Sequence, residues 1–208
     1  MKVKVPSSLK DIKLKDFQKY QDRFKFLTEN KATETEFIIS KIATICGLEI
    51  IDVVNIEANY IFNINLIIDN IFLEEPKLVQ KFELNGLQFG FVPSLDEISY
   101  GELMDLNTSI SDWATMHQAM AVLYRPIIKN DKIGRYLIEK YNGKYHAELQ
   151  EMDMEAVMSS MVFFWNLGLD LLKSTSKYLT QEANPPNFQL IGDGLPQSMS
   201  SLVEMLRK

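Results

Sequence analysis

The dipeptide Asn85-Gly86 constrains the fold of this chain more than any other local feature. Both residue types tolerate the left-handed backbone of a two-residue hairpin turn. They separate Lys81–Leu84 (KFEL) from Leu87–Val92 (LQFGFV), two runs of strand length with apolar residues at alternate positions. An antiparallel hairpin is therefore expected in the middle of a chain whose other patterns are mostly helical.

Helical spacing of apolar residues covers Lys13–Phe26, Glu34–Cys46, Glu49–Val54, Glu57–Phe72, Glu102–Leu106, Ser111–Tyr124, Ile133–Tyr141 and Met154–Leu179. Thr33 and Glu36 have the spacing of a capping box, and Gly47 is placed to end the helix that follows. Alternation over Met1–Val5 predicts one more short strand, which Pro6 would end. The class is α+β, mostly helical with a small antiparallel sheet. Its 208 residues, 46% hydrophobic and 24% charged, suffice for a globular core and exclude a wholly disordered chain.

Two segments look like copies of one another. Lys2–Ile12 and Phe89–Ile98 each reach Val-Pro-Ser and then Leu, two polar residues and Ile, and Leu14–Tyr20 falls opposite Tyr100–Leu106. A degenerate internal duplication is expected, with pseudo-repeats of about 1–80 and 81–182 in a single compact domain spanning 1–182. Pro185, Pro186, Gly192, Gly194 and Pro196 then interrupt every pattern, so 183–208 is expected as an extended C-terminal arm with a short helix from about Ser198. Leu202, Met205 and Leu206 would give that helix an apolar face, and a helix so short needs a groove to fold into.

Charge and cysteine content narrow the function. The formal net charge is -6, from 22 Lys/Arg and 28 Asp/Glu, which disfavours a protein built to grip nucleic acid. Residues 1–31 nevertheless hold nine Lys/Arg against four Asp/Glu, leaving +5 there and -11 in the remainder. Such a partition suits contact with an acidic partner or a neighbouring copy of the chain, or a solvated helix face. Cys46 is the single cysteine and fits a reducing compartment. The first residues lack the apolar stretch of a secretory signal, and Met161–Leu172 is too short and polar to span a bilayer, so the chain is expected to be soluble, without a membrane partner.

The segment Ile42–Leu48 followed by Val53 and Ile56 has the spacing of a helix-turn-helix. Its second helix carries Glu49 and Asp52 where a DNA reader needs Arg, Lys, Asn or Gln, so it reads as a packing corner. Little else suggests chemistry. His117 and His146 have no second ligand at helical spacing, Cys46 has no thiol partner, and Gly192-Asp193-Gly194 lacks the lysine of a phosphate loop. The expectation is a protein that is not an enzyme, with no cofactor and no metal ligands.

Apolar surface is more prominent. Met152, Met154, Met158 and Met161 lead into Val162–Trp165, a helix that is either central in the core or covered by a partner. Trp113, Met116, Met120 and Leu123 form a second stripe. Arg125 before Pro126 reads as a basic cap on the end of a helix, with Glu102 or Asp105 as carboxylates it could engage. Trp113 and Arg125 join Leu202, Met205 and Leu206 as candidate partner-binding residues.

The run Phe91–Ile98 (FVPSLDEI), with Gly101-Glu102, Asp105-Leu106 and Ser111–Trp113, leads into Met116–Pro126 (MHQAMAVLYRP). Together with Leu137–Gly143 and Phe164–Gly168, these residues resemble a poorly characterised family of tailed-phage proteins, including those of crAss-like and related phages of Bacteroidota. The resemblance reaches from the first Val-Pro-Ser to about residue 180, and Trp113–Pro126 is its specific part. It implies a role in building the virion: a tail assembly factor or chaperone in the host cytoplasm, or a permanent part of a head-tail or tail ring. It brings no catalytic residues with it. The partners implied are phage structural proteins or copies of the chain itself, and a helix-turn-helix regulator is the reading from another class.

Overall fold

The computed structural model describes residues 3–95, 98–131 and 135–166. The hairpin forms as expected: β1 (Lys81–Leu84) and β2 (Leu87–Phe91) pair antiparallel with Leu84 opposite Leu87. Asn85 (φ 51°) and Gly86 (φ 76°) both take the left-handed conformation, which matches the twist of the strands they join. Two further strands, β3 (Tyr124–Asn130) and β4 (Tyr136–Ile138), extend this into an antiparallel sheet of order β1-β2-β3-β4.

Four helices precede the sheet: α1 (Leu14–Glu29), α2 (Glu34–Ile45), α3 (Ile50–Val54) and α4 (Ala58–Phe72). Thr33 and Glu36 make the capping box, the Thr33 N–H donating to Glu36 Oε2 at 2.7 Å and the Glu36 N–H to Thr33 Oγ1 at 3.4 Å. At the other end Gly47 is left-handed (φ 65°), and the Leu48 N–H returns to the Ala43 carbonyl at 2.8 Å. The chain thus turns sharply into α3, and α3 and α4 both pack on α2. After the hairpin come α5 (Tyr100–Ser109), a 3-10 turn at Trp113–Thr115 and α6 (Met116–Leu123). Helix α7 follows, over residues 154–166 as far as the described residues reach. No helix among the described residues is long and apolar enough to cross a membrane.

Three expectations need correction. Val3–Val5 lies outside any strand, with no partner strand beside it among the described residues. The region expected as helix Ile133–Tyr141 contains β4 instead, because Tyr136–Ile138 finds a ready edge on β3. Arg125 and Pro126 do not follow a helix as its stop but lie inside β3, where Pro126 faces Phe89 of β2. The Pro126 carbonyl accepts from the Glu139 N–H at 2.8 Å, so its missing N–H faces β4 at the end of that pairing and leaves few ladder bonds unmade. The helix expected to run to Leu179 and the arm at 183–208 lie, beyond residue 166, outside the described residues.

Tyr124 joins α6 to β3 and is fully buried. Its hydroxyl donates to the Val79 carbonyl at 2.8 Å, while its ring meets Phe82 and Phe91 edge-on. A buried hydroxyl needs such a partner, which ties the segment before β1 to the centre of the core. Met152, Met154, Met158 and Met161 are all buried too, so this methionine run is core.

The two ends of the described chain meet in an antiparallel clasp. Leu9–Asp11 and Glu148–Glu151 are both 3-10 turns, each followed by an extended residue and then a helix. Lys13 and Asp153 form a β-bridge, with the Leu14 N–H donating to the Met152 carbonyl and the Met154 N–H to the Ile12 carbonyl, each at 2.9 Å. The two strands of the clasp bury the same spacing: Leu9, Ile12 and Leu14 on one, Leu149, Met152 and Met154 on the other. Above them Lys10 faces Glu155, Lys13 faces Asp153 and Lys15 faces Glu151. Three cations of the basic N-terminal segment are therefore answered by acidic residues of the same chain.

Two predictions follow from this packing. A Cβ on Gly90 would lie 2.5 Å from Tyr136 Cε2, and the Tyr136 hydroxyl is anchored on the Phe91 carbonyl at 2.7 Å, so the ring has little room to retreat. Gly90→Ala should cost about 1–3 kcal/mol in urea unfolding, as overpacking does. In the clasp, Lys13→Asp and Asp153→Lys should each lower the melting temperature, and the double exchange should recover most of the loss; failure to recover would show that the ion pair is not coupled.

Candidate functional site

Glu102 and Arg125 come together as a nearly buried pair, Arg125 NH1 lying 2.8 Å from Glu102 Oε1. Local sequence places both groups. Ser99 and Glu102 form a capping box on α5, the Ser99 N–H donating to Glu102 Oε2 at 2.7 Å and the Glu102 N–H to Ser99 Oγ at 3.3 Å. The remaining oxygen is thereby aimed at β3. Arg125 reaches it while its Nε donates to the Val122 carbonyl at 3.0 Å, so part of the expected helix-end role survives in a strand residue. Burial pushes the Glu102 carboxyl up, but the Ser99 N–H and hydroxyl, with the Arg125 guanidinium, outweigh it and hold the group below its ordinary range.

The pair lines an open cleft of about 1460 Å³. Phe91, Val92, Ile138 and Phe163 supply apolar wall, and Tyr141 adds a phenol beside Arg125. Burial, and then a hydrogen bond to Asp105, push the Tyr141 hydroxyl up to about 12, so it stays protonated at neutral pH. Its oxygen lies 3.3 Å from His146 Nε2. His117 pairs through Nδ1 with Gln18 Nε2 at 3.1 Å, and burial followed by the charge of His146 lowers its pKa. Cys46 caps α2, half-buried, with its thiol pushed up to about 11 by burial. No group of three or more metal-ligating side chains gathers among the described residues.

A second feature lies on the helices before the sheet. Ile64, Ile68 and Ile71 turn one side of α4 into the core, yet Phe62, Leu66 and Leu73 remain 63%, 59% and 78% exposed. With 3.6 residues per turn these three fall within about 40° of one another, so they form a ridge. Tyr60 and Ile67 are exposed beside the buried side, and α3 contributes Ile50, Ile51 and Val54. Scattered apolar residues at a surface are ordinary, whereas Phe62, Leu66 and Leu73 are aligned along one side of α4. The exposed side of α3 also lacks every cation a DNA-reading helix would need.

The residues proposed from sequence separate clearly. Arg125 lies in the cleft. Trp113 is half-buried: its ring meets Phe17 edge-on at 4.6 Å, and its carbonyl accepts from Gln18 Nε2 at 2.6 Å, so it braces α1 against the start of α6. Leu202, Met205 and Leu206 lie outside the described residues. The α4 ridge and Tyr141 were not among the proposed residues. Ser99-x-x-Glu102 was visible as a second capping-box spacing, whereas nothing local marks Tyr141. No family model, curated protein or solved structure matches the chain.

The pair makes a pH-dependent prediction. Because the folded Glu102 lies below its ordinary value of 4.5, its contribution is complete above that value and is lost as the pH falls through the folded pKa. Glu102→Gln should therefore be less stable than the native chain at neutral pH, and the two urea midpoints should converge on acidification. Arg125→Met, which leaves a carboxylate buried without its partner, should cost about 3 kcal/mol at neutral pH.

Proposed function

We propose that this chain is a non-enzymatic morphogenesis protein of a tailed phage, an assembly factor that shields apolar segments of a tail protein through protein-protein contact. The observation that carries this reading is the uncovered apolar ridge of α4 with the exposed isoleucines of α3. A factor that holds apolar segments of another protein needs such a surface, and Phe62, Leu66 and Leu73 in line along α4 supply one. The sequence likeness in Trp113–Pro126 supplies the phage setting. An acidic body with an acidic second helix speaks against the alternative of a DNA-binding regulator.

Mass spectrometry of particles and of the infected-cell lysate separates a factor from a permanent component of a head-tail or tail ring. An assembly factor is present in the lysate with its tail partner and missing from mature virions. Stoichiometric recovery from the virions would make it a structural component. The variant pair Phe62→Glu and Leu66→Glu should lose the tail partner in co-purification, and retention of the partner would remove the ridge from the reading.

A further inference from the structure

We infer that the face formed by α3 and α4 accepts the C-terminal half of α1 from a second copy of the chain, giving a head-to-tail contact. The inference rests on the reading of that face as a contact surface and names one occupant for it. No lysine or arginine occurs between Lys41 and Lys77. Glu49, Asp52, Glu57, Glu74 and Glu75 flank the exposed apolar residues, and Asp69 is answered by Lys41. Acidic residues next to exposed apolar ones, with no cation between Lys41 and Lys77, favour a cationic, apolar occupant. They also oppose two of these faces meeting each other, or an anionic lipid surface, because the like charges would then repel.

The end of α1 has the complementary character. Phe26 is 63% exposed on it, while Phe24, on the other side of the helix, packs against Phe37 at 5.0 Å between ring centroids. Arg23, Lys25 and Lys31 lie close by in sequence against Asp22 and Glu29, while Lys19 is paired with Asp16 and Arg23 also donates to Thr44 Oγ1 at 2.9 Å. This part of the basic N-terminal segment follows Lys10, Lys13 and Lys15, which pair across the clasp. Exposed aromatic rings among cations are typical anchors of a protein interface. Because α1 and the α3–α4 face are different surfaces, the contact is heterologous: it closes into a ring or continues as a filament according to the rotation between copies.

Sedimentation of the full chain over a wide concentration range should show association that weakens with added salt. Phe26→Glu and Leu66→Glu change exposed residues, so both should keep the native circular dichroism and unfolding midpoint. Each alone should weaken association at least about tenfold. Mixed in equal amounts they should form a one-to-one dimer, since one variant keeps an intact face and the other an intact α1 end. A chain monomeric at every concentration would overturn the inference, as would association that either variant leaves unchanged. Wild-type association without rescue in the mixture would overturn it too, by pointing to a self-complementary contact. A monomer that still captures the tail protein through Phe62 and Leu66 sinks the second copy and leaves the contact face standing. Loss of both removes the face as well.

Discussion

The clasp between Leu9–Lys15 and Glu148–Glu155 is the interaction on which the arrangement of the helices depends. It is the point where α1 and α7 begin, and both helices inherit their direction from one pair of backbone hydrogen bonds at 2.9 Å. Six side chains, Leu9, Ile12, Leu14, Leu149, Met152 and Met154, are buried beneath those bonds. The ion pairs above them are at least one-third exposed on one or both sides, so they set register and sign more than they stabilise. Burial of matched apolar residues holds the ends together, and opposite charge ensures that they meet in this alignment.

The sheet is held to this helical body at the junction of α6 and β3. Tyr124 fixes the junction from inside the core, through its hydroxyl on Val79 and its ring between Phe82 and Phe91. Arg125, the next residue, points to the other side of the strand and ties down α5 through Glu102. Two neighbouring residues thus bind the sheet to α7, through the Tyr124 hydroxyl 3.3 Å from the Ala156 carbonyl, and to α5, through Glu102. The cleft beside Arg125 follows from this, since α5 is held at its N-terminus while β4 lies at the far edge of the sheet.

Local chemistry was legible in the sequence, and long-range pairing was not. Asn85-Gly86, Thr33-x-x-Glu36 and Gly47 each specify a conformation within four residues, and each formed as its chemistry requires. Tyr136–Ile138 reads equally well at helical and strand spacing, and only the neighbouring edge of β3 decides it. Arg125-Pro126 carries the local signs of a helix stop, yet the pairing of Gly90 with Arg125 and of Phe89 with Pro126 outweighs them. Val3–Val5 shows the reverse case, an alternating run that pairs with no strand among the described residues. In the site, Glu102 and Asp105 were both legible as carboxylates for Arg125, and the capping box that aims Glu102 Oε1 at β3 decides between them. The α4 ridge was hidden, because Phe62 and Leu66 share the spacing of the buried isoleucines and nothing in a single sequence separates the two sides. The clasp was hidden for a related reason. Leu-x-x-Ile-x-Leu and Leu-x-x-Met-x-Met carry matching apolar spacing, but their distance in sequence conceals it.

That distance has a consequence for how the protein is made. Lys13 and Asp153 are 140 residues apart, so the clasp closes almost the whole described chain into a loop. Closing a loop of that length costs entropy that no local contact repays, and such contacts form late. During synthesis Leu9, Ile12 and Leu14 leave the ribosome well before Leu149, Met152 and Met154, their partners in the clasp. The hairpin and the capped helices need no such delay. The nascent chain therefore passes through a stage in which the hairpin and capped helices can order while Leu9, Ile12 and Leu14 still lack their clasp partners, and this side of the clasp is the one in need of protection meanwhile.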